Sequence, residues 1–212
     1  MPNAVVEAIR KRRSIRRYAA QAVPSIKIRT LLEIASWSPS AHNAQPWRFV
    51  VVSDHTVRRL LVDRMAEAYS KDLKKDGLLE ARRDSVESSK ALFLEAPALI
   101  VACLTMEKMH RYLDEKRRRS ELIMGVQSLA ASITTFLLAA HTKGFGTCWF
   151  CAPLFSQEEV RKVLKMPAGI EPQAIITIGL PDERPPPPTR MNVESIVFEN
   201  YWGRPLSSAR PA

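Results

Sequence analysis

The sequence predicts a domain that mixes helices with a few buried strands, and three observations predict it. A hydrophobic content of 46% over 212 residues supports a real core. Several long segments repeat apolar residues at threes and fours, the period of an amphipathic helix. Between them stand short apolar runs bounded by turn residues, Arg48–Val52, Ala98–Leu104 and Gln173–Leu180, which read as strands.

Taken in order, Asn3 is placed to cap a first helix with Val5, Val6 and Ile9 at helical spacing. Ser25 is placed to cap a second, Ile26 to about Trp37, whose apolar face is Ile28, Leu31, Leu32 and Ala35. Pro39 to Pro46 is a polar loop feeding the first strand. Ser53-Asp54 restarts a helix over about Thr56–Lys75, and Gly77 ends it. Glu80 to Lys90 reads as a polar stretch leading to the second strand. Lys108 to Arg119 reads as a charged connection or an exposed helix start.

The longest helix is expected from about Ser120 to Lys143, with Ile123, Val126, Leu129, Ile133, Phe136 and Ala140 on its apolar face and Gly144 as its C-terminal cap. Its small residues permit close packing, which suits a core helix or a dimer interface. Gly146 to Phe155 is a short strand and loop. Ser156 and Glu159 form the pattern of a capping box for a helix over Gln157–Met166. Pro185 to Pro188 should be extended, and Tyr201 and Trp202 are late aromatics expected to dock on something, such as a partner subunit.

No apolar run approaches the roughly 18 to 20 uninterrupted residues of a spanning helix, and the basic N-terminus has no following apolar region, so neither a membrane segment nor a signal peptide is expected. Three cysteines make no disulfide framework and fit a cytoplasmic location. The formal net charge of +10 favours anionic partners. Aromatics are only 7% and are not interleaved with the basic runs, which argues against nucleic acid and for a phosphate-bearing small molecule.

The basic run around Arg10 to Arg17 reads either as a solvated helix end or as an anion site. Arg12, Ser14 and Arg16 alternate, so in an extended segment their side chains converge on one side, a donor set that suits a phosphate monoester. Cys148 and Cys151 point to opposite faces of a strand, and no second pair completes a metal site. The four histidines have no metal-ligand spacing, so no metal is expected. Nucleophile elbow, P-loop and dinucleotide fingerprint are all missing. A bound cofactor that carries the hard step would explain the shortage of acid–base groups.

Four motifs in order, RRSIR (Arg12–Arg16), PSAHNAQPWRFVVV (Pro39–Val52), GFGTCWF (Gly144–Phe150) and AIITIGLP (Ala174–Pro181), resemble the nitroreductase-like flavoproteins over nearly the whole chain. With YSKDLKKDG (Tyr69–Gly77), the wording is most similar to the FMN-binding C-terminal domain of the γ-glutamyl ligases that build the 5-deazaflavin coenzyme. The resemblance implies an α+β fold: a mixed, mostly antiparallel sheet surrounded by helices. It further implies one domain over 1–212 in an intertwined homodimer, with a lid at about 54–94 and a C-terminal arm at about 185–212 on the partner.

The same resemblance implies FMN as cofactor, with NAD(P)H or a reduced deazaflavin as electron donor and a small-molecule acceptor. Arg12, Arg13, Ser14 and Arg16 match the motif that holds the phosphate and the pyrimidine edge of the flavin. Arg190 falls where a second phosphate cation is supplied. Pro39, Ser40 and Asn43 match a loop that comes from the other subunit; His42 beside them reads as a plain loop histidine or as a substrate contact. Gly146, Trp149, Phe150 and Cys151 match the strand end against the ring, although Cys151 stands where similar chains often have Gly. Asp72 would touch a deazaflavin or its tail, or is simply a solvated helix carboxylate. No catalytic side chain is assigned. The functions weighed are an FMN oxidoreductase, a flavin- or deazaflavin-binding module with little turnover, and a basic nucleic-acid-binding protein.

Overall fold

A computed structural model describes residues 3–206. Its framework is a four-stranded sheet in the order β1-β2-β4-β3, built from β1 (Trp47–Val52), β2 (Ala98–Thr105), β3 (Gly146–Phe150) and β4 (Ile170–Gly179). All three pairings are antiparallel. A parallel contribution comes from the Arg12–Tyr18 segment, where Ser14 bridges Thr147.

Helices cover both faces. On one side lie α2 (Ser25–Ala35) and the long α5 (Glu115–Thr142). On the other lie α3 (His55–Lys75), α4 (Leu79–Glu95) and α6 (Gln157–Val163), while α1 (Ala4–Lys11) packs near the end of α5. Because side chains alternate along a strand, β2 divides its residues between two cores. Ile100, Ala102 and Leu104 join Leu31, Ile133 and Phe136, whereas Leu99, Val101 and Cys103 join Leu61, Val62 and Phe93. Every residue of β2 is buried, which is why Ala98–Thr105 reads as a continuous apolar run.

Most helix starts follow the expected chemistry. The side chains of Asn3 and Asp54 accept hydrogen bonds from the N–H groups of Val5 and Val57, both at 2.9 Å. Gly144 takes a φ of +81° just past the end of α5, the left-handed backbone that favours glycine. Four expectations need correction. Glu80–Lys90 is not a connection but the body of α4, whose buried stripe is so narrow (Val86 and Phe93) that no apolar period is visible. Helix α5 starts at Glu115, because Asp114 caps it at the N–H of Arg117. Ser25 is the first residue of α2, with Pro24 at the cap position and no side-chain cap. Ser156 makes no cap bond to α6, and its hydroxyl is buried without a partner among the described residues.

An 18-residue window of α5 reaches a mean hydropathy of 1.8, within the range of spanning helices. Isolated runs hide this property because small and polar residues punctuate the window. Leu129, Ile133, Phe136 and Ala140 of α5 are core residues, at most 2% exposed.

Candidate functional site

The RRSIR segment leaves α1 at Arg12 and runs extended along β3. The N–H of Ile15 donates to the carbonyl of Thr147 at 2.9 Å, and that of Ala19 to Leu180 at 2.9 Å. The Tyr18 hydroxyl donates to the Ile15 carbonyl and sits 2.7 Å from Thr177 Oγ1, and burial raises its pKa. One carboxylate steadies the segment from the far side: Glu183 Oε1 accepts the N–H groups of Arg16 and Arg17 at 2.5 and 3.2 Å. Burial alone would raise the Glu183 carboxyl, but those bonds and the Arg17 guanidinium hold it below the usual range.

Of the three residues expected to converge, Arg12 borders the basic cavity described next, whereas Ser14 and Arg16 are not in its lining. Burial raises the pKa of the buried Cys148 thiol, and the positive charges of Arg16 and Arg12 act against that rise. Arg13 donates from its guanidinium to the carbonyls of Arg10 and Arg12 at 2.6 and 2.8 Å and also borders that cavity. A cavity of about 330 Å³ opens beside the segment, with Lys11, Arg12, Arg13, His141 and Arg184 in its lining. Burial first, and then Arg12, Arg13 and Lys11, lower the pKa of His141, which disfavours adding a further positive charge at this cavity. Sequence reasoning counted Lys11 only as part of the basic run and missed His141 and Arg184. Arg184 carries the right charge in the proline-rich tail, but only the fold brings it to this cavity, where Arg190 is absent from the lining.

Gly146 opens β3 under the same segment. A Cβ there would stand 2.8 Å from Cβ of Ile15, so only glycine allows the approach. Farther along β3 the indole N–H of Trp149 is buried with no acceptor among the described residues. Phe150 lies edge-on to Phe93 at 5.0 Å, and Cys151 is exposed. The following turn, Ala152–Phe155, borders an apolar cavity of about 250 Å³ between α3 and α4, lined by Met65, Tyr69, Phe93 and Phe155 among others. Asp72 points elsewhere, paired with Lys75 at 2.8 Å on an exposed face of α3.

The Pro39–Pro46 loop contains a 3-10 turn at Ala41–Asn43 and three non-glycine residues with left-handed backbone: His42, Asn43 and Gln45, at φ of 55°, 49° and 48°. Such backbone persists only where its surroundings hold it. Here the Ser40 hydroxyl accepts from the Gln45 N–H at 3.1 Å, and the Ser128 hydroxyl of α5 accepts from the Ala41 N–H at 3.1 Å. Ser128 and His141 stand 13 residues apart on α5, or about 20 Å at the helical rise. One chain therefore does not bring Pro39, Ser40 and Asn43 to the Arg12–Arg16 cluster. His42 lies against His110 and the buried Glu121, a grouping that their spacing in the sequence conceals.

A three-layer fold with a basic cleft beside its edge strand defines a small-molecule oxidoreductase scaffold when set against known proteins. The nitroreductase family model matches residues 9–180, and the chain belongs to that family. It is 29% identical over 180 residues to YfhC of Bacillus subtilis (strain 168), described as a candidate NAD(P)H nitroreductase, covering 84% of this chain and 85% of that one. It is 28% identical over 198 residues to an iodotyrosine deiodinase of Thermotoga neapolitana, covering 91% and 96%. Among solved structures, a candidate nitroreductase in complex with FMN from Desulfovibrio desulfuricans is similar at a TM-score of 0.72 and 25% identity, over 95% of this chain and 99% of that one. A BluB-like flavoprotein from Clostridium difficile 630 shares the fold at a TM-score of 0.77 and 24% identity, over 92% and 98%. The family and fold expected from the four motifs are borne out.

Proposed function

We propose that this protein is an FMN-dependent oxidoreductase that passes a hydride from NAD(P)H, or from a reduced deazaflavin, to a small electron-poor acceptor such as a nitroaromatic, a quinone or an unsaturated cofactor precursor. The observation that carries the reading is the cluster of Lys11, Arg12, Arg13 and Arg184 around one cavity, in a chain of the nitroreductase family.

These residues fit the group. Arginine forks match a phosphate monoester, and the unpartnered Trp149 N–H is a donor left free by the protein. FMN, when bound, supplies the hydride chemistry itself. Arg12, Arg13 and Arg184 then hold its phosphate, while Ser14 and Arg16 supply donors and positive charge toward the pyrimidine edge. Gly146, Trp149, Phe150 and Cys151 form the wall beside the ring. Arg190 acts only if the tail carries it back to the phosphate. The apolar cavity at Tyr69, Phe93 and Phe155 supports a planar, poorly solvated acceptor. The names of the relatives, nitroreductase and deiodinase, cover different acceptors, so the family alone leaves the acceptor open.

The working unit of this proposal is a homodimer. The rise of about 20 Å along α5 between Ser128, which holds the Pro39–Pro46 loop, and His141, which shares the basic cavity with Arg12, supports it, because Pro39, Ser40, His42 and Asn43 would complete the site of a second copy. Leu122, Ile123 and Val126 present an apolar strip on α5, each at least 40% exposed, and Tyr201 and Trp202 are exposed on the C-terminal arm. One domain over 1–212, a lid formed by α3 and α4, and a cytoplasmic location supported by three free cysteines complete the reading.

The test is the absorption spectrum of the purified protein, followed by anaerobic addition of NADH, NADPH and a reduced deazaflavin in turn. A flavin spectrum bleached by one donor and restored by an acceptor is expected. Bound flavin that no donor reduces would instead favour an accessory flavin- or deazaflavin-binding module, and a colourless protein with no FMN affinity would overturn both.

A further inference from the structure

We propose that His42, His110 and Glu121 form a binding site for a zinc-type divalent metal ion, apart from the basic cavity of the same chain; His42 also lies in the loop that the flavin reading gives to a second copy, but the metal site does not rest on that reading. The two histidines are 68 residues apart in the chain, yet their rings stack with centroids 3.8 Å apart and planes 23° apart. His42 Nε2 lies 3.3 Å from Glu121 Oε1. The other carboxylate oxygen, Oε2, accepts the backbone N–H of His110 at 3.0 Å. One potential ligand atom from each of the three residues lies within 4.8 Å of the others.

Two imidazoles and one carboxylate are a donor set of open zinc sites, with bonds of about 2.0–2.2 Å. Tetrahedral geometry with such bonds sets ligand atoms about 3.3 Å apart, the separation already found between His42 and Glu121. The His110 ring must leave the stack and rotate to complete the set, and its exposed position leaves room for that. Glu121 is only 2% exposed, and a carboxylate so buried needs a compensating positive charge. Its Oε2 is held by the His110 N–H, which orients Oε1 toward the histidines in the manner of an outer-shell partner. A cavity of about 750 Å³ adjoins His110 and Glu121 and also takes in Arg111, Tyr112 and Arg118. The fourth coordination position would face it, open to water or to an anionic oxygen ligand.

The competing description is a hydrogen-bonded imidazole–carboxylate pair that happens to carry a second ring. The two are separated by calorimetric titration of the full chain with zinc chloride, after chelator treatment and dialysis. About one ion per chain is expected, with affinity reduced at least about tenfold in both His42→Asn and His110→Asn. His110→Asn is the decisive variant, because its side chain is exposed and circular dichroism can verify the retained fold. His55→Asn, an exposed histidine outside the set, should bind as the parent does. Absence of stoichiometric binding by the parent, an unchanged affinity in His110→Asn, or loss of binding in His55→Asn would each overturn the proposal.

Discussion

Ile15 and Gly146 meet so closely that a Cβ on Gly146 would stand 2.8 Å from Cβ of Ile15. This contact presses the basic segment onto β3, and the Ile15–Thr147 hydrogen bond locks its register. Gly146→Ala is expected to cost about 1–3 kcal/mol, the usual range for forcing extra volume into a packed contact. Urea unfolding followed by circular dichroism measures it, and FMN affinity should fall in parallel if the segment shifts. An unchanged midpoint would show that the segment yields freely.

Removing the Arg16 guanidinium tests the flavin reading more directly. A hydrogen bond to a charged group contributes about 1.5–3 kcal/mol, so Arg16→Ala should weaken FMN by roughly 10- to 150-fold while the fold is retained. Quenching of flavin fluorescence in a titration reads this out. Equal affinity in parent and variant would remove Arg16 from the site.

Arg58 is a structural residue that the charge pattern of α3 does not reveal. Only 2% exposed, it donates to the carbonyls of Ala96, Val52 and Pro97, tying the start of α3 to the end of α4 and the first residues before β2. Arg58→Met should destabilise the protein, because each buried acceptor left without a donor costs about 1–3 kcal/mol. Denaturant midpoints of the two proteins decide it, and a more stable variant would mean that burial of the guanidinium outweighs its bonds.

Cys103 should give stability an alkaline limb. Burial pushes its thiol up to about 12, so the folded state resists forming the thiolate that the unfolded chain forms at ordinary thiol pH. The folded pKa lies above the unfolded one. Its contribution is therefore complete below the unfolded value and is lost progressively as pH rises from about 9 toward 12. Burial of the Tyr18 phenol acts in the same direction at higher pH. Cys103→Ala should flatten the decline in unfolding free energy between about pH 9 and 12, measured by urea titration at each pH. An equally steep decline in the variant would assign it to other groups.

The proposed dimer predicts that charge on the α5 strip separates the subunits. Ile123→Asp with Val126→Asp should convert a dimer to a monomer in sedimentation velocity and lower FMN affinity, because the loop of the second copy would be lost. A parent that sediments as a monomer at the concentrations of assay would overturn the shared site.

What could be read from residues alone followed their local physics. The alternation of Arg12, Ser14 and Arg16 presumes an extended segment, and the segment does run extended along β3 with Ser14 bridging Thr147, although only Arg12 of the three lines the basic cavity. Buried strands read as apolar runs because both faces of the sheet are covered. Helix α4 escaped notice because two fully buried side chains leave no period to detect. The capping box at Ser156 failed for a related reason, since a local pattern offers a bond that the surrounding turn need not form.

The sequence by itself determined the family, the strands and the basic segment, because each rests on neighbours within a few residues along the chain. Tertiary structure alone decided which distant charges share a cavity. Arg184 reaches Arg12, and His42 reaches His110 and Glu121, through the crossing of loops over a sheet whose register spacing cannot reveal. Local propensity acts through covalent neighbours, whereas a site is assembled by packing, and packing joins residues without regard to their distance in the chain.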